Sequence, residues 1–255
     1  MSNLFLDQRT EYDRAGFKWL LDPRQTIDGS IISNSVWEPR STAIFNRFVK
    51  PGDTVVDVGA NIGWYTLLAS RLVGPTGRVL AFEPTEAMNL LRKHLKMNGI
   101  RNVGTYRVAL GATEGVVKEA LNYSWPPTLS DRKVPVAPVE SLDDLKFERL
   151  DFLKLDTDGY EADILQGAQE TLVRLKPKLL VEICEYTLRR VAGIRDENQD
   201  PYLARTMLEK LSEIGYTYRA EQDLASEGIS EILTSTDLMR RSTNVLCVPP
   251  GCKEI

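Results

Sequence analysis

Thr54-Val-Val-Asp-Val-Gly-Ala-Asn-Ile-Gly63 joins the pattern of a buried β-strand to a tight glycine turn, and a helical pattern follows from Trp64 to Val73. Asp57 stands two residues before Gly59, near the carboxyl end of the predicted strand. Glycines in such a turn let a ligand approach the backbone closely, as in the cofactor loops of open α/β sheets. The stretch therefore predicts a site for a cofactor of the nucleoside type.

The residues of this turn favour S-adenosylmethionine (SAM) over a dinucleotide. A pyrophosphate binder is expected to show G-x-G-x-x-G, with the amides of a helix N-terminus facing the phosphates. Here the turn lacks that spacing and has a carboxylate in front of it. SAM has no phosphate, and its ammonium group is complemented by an anion. We therefore predict a SAM site at this turn, which runs from Asp57 through Ala60 to Gly63.

A second carboxylate agrees with this cofactor. The apolar strand pattern Arg78–Phe82 ends in Glu83, twenty residues beyond Gly63. In a βαβ unit this is where the ribose hydroxyls of a nucleoside lie, and a carboxylate accepts hydrogen bonds from both. Glu83 is predicted to hold the ribose, and Ala109 and Asp156, at the ends of later strands, are further candidates for cofactor contact.

Composition limits the possible functions. With 255 residues, 42% hydrophobic and 27% charged, the chain can bury the core of one large α/β domain. We expect an N-terminal cap in residues 1–50 and the cofactor-binding domain in residues 51–255. A net charge of −4 and a pI near 5.3 argue against a nucleic-acid partner.

The chain also lacks the usual signals for a membrane or an oxidising compartment. No apolar run approaches the length of a membrane span, and the N-terminus has no basic start or sustained apolar core, so we expect a cytoplasmic protein. Cys184, Cys247 and Cys252 are odd in number and have no metal-ligand spacing. They are interpreted as reduced packing residues.

From Asp53 onward, short apolar runs alternate with helical patterns. This alternation predicts an α/β fold with a Rossmann-like, mainly parallel seven-stranded sheet, and the last strand is expected to be antiparallel because no helical crossover precedes it. The predicted strands are Thr54–Val58, Arg78–Phe82, Gly104–Ala109, Phe152–Leu155, Lys178–Cys184, Tyr216–Ala220 and Thr243–Val248. The predicted helices include Trp64–Val73, Thr85–Asn98, Tyr160–Leu175 and Pro201–Ile214.

Two segments lie outside this alternation. The N-terminal cap contains a helical pattern over Ser41–Phe48, and the glycines and prolines of residues 111–140 suggest a β-hairpin inserted in the sheet or standing beside it. Its strands would be Val116–Asn122 and Lys133–Val139. Trp37, Glu38 and Trp125 are candidate walls of an acceptor pocket, although the two tryptophans equally suit a packing role.

Candidate catalytic groups close the fourth and fifth strands, because open sheets bind ligands at the carboxyl ends of their strands. They are Asp156, Asp158 and Glu182. If the strand stays extended, Asp156 and Asp158 share a face; alternatively Asp158 caps the following helix. Paired carboxylates also suit a divalent metal ion, which gives the hypothesis of a metal held by Asp156 and Glu182.

The single histidine is not expected to act as a base. His94 lies on the apolar stripe of the helix after Glu83, beyond the strand end that forms the site, and is interpreted as a half-buried packing residue. A proton removed from an acceptor would then pass to a carboxylate, to water or to a metal-bound position.

At these residues the chain resembles the FkbM-like family of class I SAM-dependent methyltransferases. The resemblance covers roughly residues 36–250 and rests on five motifs: Trp37-Glu-Pro39, Asp57-Val-Gly-Ala-Asn-Ile-Gly63, Phe82-Glu-Pro84, Leu153-Lys-Leu-Asp-Thr-Asp-Gly159, and Lys176-Pro177 followed by Val181-Glu-Ile183. It implies that SAM is bound through Asp57, Gly59, Asn61 and Gly63, with its ribose held by Glu83. It also implies methyl transfer to oxygen on a sugar or natural product, as in natural product biosynthesis. The chain departs from the family pattern at Asp158, where Glu is usual, and at Cys184, where His is frequent.

Other functions remain open at this stage. An NAD-dependent oxidoreductase is disfavoured by Asn61 in the glycine turn, and a non-catalytic SAM-fold module serving a partner protein is disfavoured by the intact acids. The predicted acceptor is a small hydroxylated molecule, and the aromatic N-terminal segment could form the contact of a homo-oligomer.

Overall fold

The computed structural model describes residues 9–117, 137–193, 203–221 and 242–252. Its main sheet has seven strands in the order β11-β12-β10-β9-β3-β4-β5, parallel except for β12, which is antiparallel to both neighbours. This confirms the predicted Rossmann-like sheet and its antiparallel last strand. The strands are β3 Thr54–Val58, β4 Arg78–Phe82, β5 Val103–Tyr106, β9 Phe152–Leu155, β10 Lys178–Ile183, β11 Thr217–Ala220 and β12 Thr243–Val248.

The central strands are mostly apolar and buried because helices cover both faces of the sheet. All four residues of β9 and all six of β12 are buried. Among the described residues, no helix has the length and apolarity needed to cross a membrane. The helices are α1 Thr26–Asn34, α2 Pro39–Phe48, α3 Trp64–Val73, α4 Ala87–Met97, α5 Glu161–Gln166, α6 Gln169–Leu175, α7 Glu185–Val191 and α8 Leu203–Glu213.

One helix predicted from the sequence is two. The pattern Tyr160–Leu175 is interrupted at Gly167, where a Cβ atom would lie 2.1 Å from the carbonyl oxygen of Gly111. The new helix α6 has its own acceptor, since the Asp143 carboxylate accepts from the backbone N–H groups of Thr171 (2.7 Å) and Glu170 (3.0 Å). A tertiary contact and a cap from a distant residue therefore end one helix and start the next.

The predicted third strand, Gly104–Ala109, is also divided. The chain leaves the main sheet after Tyr106, and β6 Ala109–Leu110 belongs to a separate sheet of order β6-β8-β7. In that sheet β7 Gly115–Val117 pairs antiparallel with β8 Ala137–Glu140, which places the predicted hairpin beside the main sheet. Residues 118–136, including Trp125, lie outside the described residues.

The N-terminal segment packs on the helices that follow the glycine turn. Its hairpin, β1 Thr10–Arg14 with β2 Phe17–Leu21, buries Trp19 completely against the stacked ring of Trp64, with centroids 5.7 Å apart. Truncation of such a buried aromatic residue to Ala typically costs about 3–5 kcal/mol. The described part of the N-terminal segment, residues 9–50, therefore shares a core with the sheet.

His94 is fully buried, rather than half-buried as predicted. Its Nε2 accepts from the Leu20 N–H (2.9 Å), so its Nδ1–H donates to the carbonyl oxygen of Ile62 (2.8 Å). Burial lowers the pKa of His94 to about 4, although the hydrogen bond to Ile62 opposes the change. The neutral ring is a structural link between the N-terminal hairpin and the glycine turn.

Candidate active site

The glycine turn is held against the ends of two neighbouring strands. The N–H groups of Gly59 and Ala60 both donate to the carbonyl oxygen of Phe82, at 2.9 and 3.1 Å. Gly59 has φ +77°, and a Cβ atom there would lie 1.8 Å from the carbonyl oxygen of Asp156. The turn therefore requires glycine both for its backbone conformation and for close contact with the end of β9.

The other residues of the turn have equally local reasons for their identity. Gly63 has φ +99°, and a Cβ atom would lie 2.3 Å from Leu91 of α4. Asn61 adopts the left-handed conformation, with φ +48°, which asparagine tolerates better than most residues. The result is a loop that presents its backbone at the carboxyl edge of the sheet, in the form expected for a nucleoside cofactor.

Both acids predicted to bind the cofactor lie at this edge. Glu83 accepts from the N–H groups of Asn61 (2.9 Å) and Thr85 (2.9 Å), one on each carboxylate oxygen. Asp57 is buried and accepts from the Thr66 hydroxyl (2.5 Å). Burial raises the pKa of Asp57 to about 6, with Asp156 and Glu83 adding to the effect and Lys154 opposing it.

A buried lysine lies beside Asp156, and sequence reasoning missed it. The Lys154 side chain is 1% exposed, and its Nζ lies 2.8 Å from Oδ2 of Asp156 and 4.4 Å from the ring centroid of Tyr65. The Tyr65 hydroxyl donates to Glu38 (2.8 Å). Burial alone would lower the pKa of Lys154, but the carboxylates of Asp156, Glu38 and Asp57 raise it above its ordinary value. The only available sequence signal was a lysine within an apolar central strand.

Glu182 shares a hydrogen bond with Asp156. Burial raises the pKa of Glu182 well above its ordinary value, and the negative charge of Asp156 adds to this. Burial also acts to raise the pKa of Asp156, but Lys154 and the hydrogen bond with Glu182 outweigh it and hold that pKa below its ordinary value. The two carboxyl groups at the ends of β9 and β10 thus differ in pKa, with that of Glu182 raised and that of Asp156 lowered.

Asp158 is not a helix cap, and the strand does not stay extended to it. Strand β9 ends at Leu155, and Asp158 has φ +56°. The turn before α5 is held by Glu161, whose carboxylate accepts from the N–H groups of Thr157 (2.7 Å) and Gly159 (3.0 Å). Burial raises the pKa of Asp158 to about 7, helped by the charges of Asp156 and Glu161. Asp158 therefore lies close enough to Asp156 and Glu161 for their charges to affect its ionisation.

The metal hypothesis for Asp156 and Glu182 finds no support. Within the described part of the chain, no group of three or more histidine, cysteine, aspartate or glutamate residues has a metal-binding arrangement. The ammonium of Lys154 occupies Oδ2 of Asp156, and Glu182 is hydrogen-bonded to the same carboxyl group. These contacts supply the positive charge and the hydrogen-bond donor that a divalent ion would replace.

The remaining candidates are placed as follows. Glu38 lies in the site at the N-terminal end of α2, with φ +43°, and burial followed by the charge of Asp156 raises its pKa. Trp37 is partly buried against the core, which matches the packing interpretation. Ala109 lies in β6, outside the main sheet.

Of the cysteines, Cys247 is buried in β12, whereas Cys184 and Cys252 are half-buried, and all three are free.

Comparison with known proteins places this fold and site. The profile of the methyltransferase FkbM domain matches residues 57–218, well over half of the chain. The fold is thus that of a SAM-dependent methyltransferase domain. Within that class, the chain belongs to the methyltransferase FkbM family.

Two curated relatives are methyltransferases by name. Methyltransferase 1 of Beauveria bassiana (strain ARSEF 2860) is 25% identical over 166 residues, which cover 53% of this chain and 66% of that protein. The probable cobalt-precorrin-6B C(15)-methyltransferase (decarboxylating) of Saccharolobus solfataricus is 31% identical over 106 residues, 34% of this chain and 53% of that protein. The matched regions thus span about two thirds and about half of these relatives.

Solved structures agree on the fold. A putative rRNA-methylase from Clostridium thermocellum aligns with a TM-score of 0.52 at 14% identity, covering 83% of this chain and 94% of that one. The O-methyltransferase from Bacillus cereus, solved with S-adenosylhomocysteine (SAH), aligns with a TM-score of 0.50 at 13% identity, covering 87% and 85%. At these identities the likeness concerns the fold alone.

Proposed function

We propose that this protein transfers the methyl group of SAM to a hydroxyl oxygen of a small acceptor, such as a metabolite, a sugar or a natural product. The observation that supports oxygen as the target is the acid cluster around Asp156, which offers proton acceptors but no nucleophile. His94, the only histidine, is already engaged by two backbone groups away from this cluster. The proposal assigns proton removal to a carboxylate.

In this proposal Asp57, Gly59, Ala60, Asn61 and Gly63 surround the cofactor at the carboxyl edge of the sheet. Glu83 is already held by two backbone N–H groups, so its carboxylate is preoriented, and its free lone pairs are available to ribose hydroxyls. Ala109 and Asp156 are proposed as further contacts. When bound, SAM supplies an activated methyl group, and its transfer forms the new O–C bond, breaks the C–S bond and leaves SAH.

The chain's own residues supply alignment and proton removal, which provide most of the rate in such a transfer. Glu38 is held by Tyr65 over the end of β9, where it is proposed to line the acceptor side together with Trp37 and Trp125. Asp156 is the proposed proton acceptor. Because the attacking oxygen becomes strongly acidic as the O–C bond forms, a carboxylate of ordinary or low basicity is sufficient.

The cofactor and the reaction are tested separately. Calorimetric titration with SAH, with NADH in a parallel titration, is expected to show micromolar binding of SAH alone. A panel of hydroxylated acceptors, assayed for SAH release with SAM, then tests the oxygen target. Binding of NADH in place of SAH would contradict the cofactor, and methylation confined to amines or carbon would contradict the target atom.

A further inference from the structure

Three polar residues lie in one row across the carboxyl edge of the sheet. Glu182 of β10 is the direct register partner of Asn244 of β12, and Val181 pairs with Leu155, so Glu182 lies beside Asp156 one residue further on. Directly paired residues in a sheet place their side chains on the same face. The row Asp156, Glu182, Asn244 therefore shares the face on which Lys154 contacts Asp156.

The middle member of this row, Glu182, lies between a carboxyl group and a side-chain amide. On one side is the carboxyl group of Asp156, to which Glu182 is hydrogen-bonded. On the other side is Asn244, which is 3% exposed and whose Oδ1 is buried without a hydrogen-bond donor in the described part of the structure. Two adjacent carboxylates repel each other and make no hydrogen bond, whereas a carboxylic acid at position 182 donates to the Asp156 carboxylate. The arrangement calls for a proton on Glu182.

The carboxyl group of Asp156 has the opposite environment, because a cation lies against it. Lys154 extends from the same strand two residues earlier, is fully buried, and places its ammonium on Oδ2 of Asp156. The face of Tyr65 covers that ammonium, so its charge is not dispersed by water. A buried cation in direct contact favours the anionic form of its partner. Asp156 is therefore the member that stays charged.

We propose that Lys154 is a positioning residue that gives the two carboxyl groups different roles. Asp156 stays anionic and accepts the proton, whereas Glu182 stays protonated and donates the hydrogen bond that orients Asp156. This narrows the sequence prediction, in which Asp156, Asp158 or Glu182 could serve as the base. The proton step rests on the proposed function, but the division of charge does not.

The proton balance follows directly. The acceptor's O–H proton passes to the Asp156 carboxylate as the oxygen forms its new bond, and it leaves to solvent after product release. Glu182 keeps its own proton throughout. Glutamine at position 182 preserves the donor but cannot accept a proton, so it separates the two possible roles of this residue.

The test is carbon-13 NMR titration of side-chain carboxyl groups in the full-length protein, with the two signals assigned by their loss in Asp156→Asn and Glu182→Gln. Near neutral pH, the Glu182 carbon is expected at the chemical shift of a neutral acid and the Asp156 carbon at that of a carboxylate. An ionised Glu182 with an ordinary titration midpoint would overturn the proposal.

Lys154 is tested by two substitutions and a matched control. In Lys154→Met the Asp156 midpoint should rise by about 1–3 pH units, because the opposite charge is lost. Lys93→Met, at an exposed position of α4, should leave it unchanged. Lys154→Gln, which keeps a donor but no charge, should also raise the midpoint and serves if the Met variant does not fold. An unchanged midpoint in a folded Lys154 variant would refute the positioning role.

Glu182 is tested by rescue. Glu182→Gln should leave the Asp156 midpoint low, since the amide still donates, whereas Glu182→Leu should raise it. Equal midpoints in these two variants would contradict the donor role. None of these titrations needs a substrate, so they test the assignment of charge independently of the reaction. Absence of SAH binding in the separate calorimetric experiment would refute the proposed function, but the assignment of charge would still be decided by the titrations.

Discussion

Acidification is expected to destabilise this protein through one residue, His94. In the folded state its Nε2 accepts from the Leu20 N–H and its Nδ1–H donates to Ile62. Protonation would place a second N–H against the Leu20 N–H, so that two donors face each other inside the core. The predicted consequence is loss of the contact between β2 and α4.

The size of this loss of stability follows from the pKa of His94, which burial lowers from 6.5 in the unfolded chain to about 4 in the folded one. The unfolded chain binds the proton more readily, so the free energy of unfolding falls as the pH falls through this window. At 1.36 kcal/mol per unit, the loss is about 1.4 kcal/mol at pH 5.5 and about 2.5 kcal/mol at pH 4.5. Below pH 4 the folded state also binds the proton, and the loss levels off near ~3.4 kcal/mol.

The assay is urea unfolding of the natural protein and of His94→Gln, between about pH 7.5 and pH 4.5. Glutamine can also donate and accept but does not titrate in this range. Asp57 and other acids with raised pKa values gain stability on acidification and would hide the effect in the natural protein alone. These contributions cancel in the difference between the two proteins, which should change by about 2.5 kcal/mol in favour of the variant by pH 4.5.

A difference that stays constant from neutral pH to pH 4.5 would refute this reasoning. Hydrogen exchange gives an independent local check, because the Leu20 amide should lose protection between pH 6 and 4 in the natural protein. Protection that persists at Leu20 while global stability falls would assign the acid sensitivity to another group.

Two further predictions concern the glycine turn and its acids. Gly59→Ala should destabilise the protein by about 2–4 kcal/mol, because strain at positive φ adds to a clash with the Asp156 carbonyl. Gly99→Ala, also at positive φ but in open space at the end of α4, should cost about 1–2 kcal/mol in the same thermal unfolding assay. Equal losses would show that the close contact is unimportant. Asp57→Ala and Glu83→Ala should each weaken SAH binding about 10–100-fold by calorimetry, whereas Asp156→Asn should reduce turnover more than binding. Equal loss of binding in all three would make Asp156 a cofactor ligand only.

Local patterns in the sequence predicted the parts of the fold whose causes are local. The strands Thr54–Val58 and Phe152–Leu155 and the helix Trp64–Val73 have the predicted bounds, because apolar runs bounded by turn residues define buried strands and short helices. The positions of Asp57 and Glu83 follow from the same patterns, since each acid closes or nearly closes its strand. Chain order alone placed them at one edge of a parallel sheet.

Elements whose limits depend on distant partners were predicted less well. The break between α5 and α6 exists because the backbone of Gly111 contacts Gly167 and because Asp143 caps the second helix. Neither partner is near in sequence, and the helical periodicity continues through the break. The depth of His94 likewise depends on the N-terminal hairpin, which covers its helix from seventy-four residues away.

The sequence by itself determined the class of sheet, the glycine turn and the identity of the acids, because periodicity, glycine and chain order act over a few residues. Only the tertiary structure decided what each acid does. Asp156, Asp158 and Glu182 are equivalent carboxyl groups in the sequence, yet Lys154, a left-handed turn and Asn244 give them different environments. Charge and hydrogen bonding depend on distance in space, and the folded sheet brings these partners within reach.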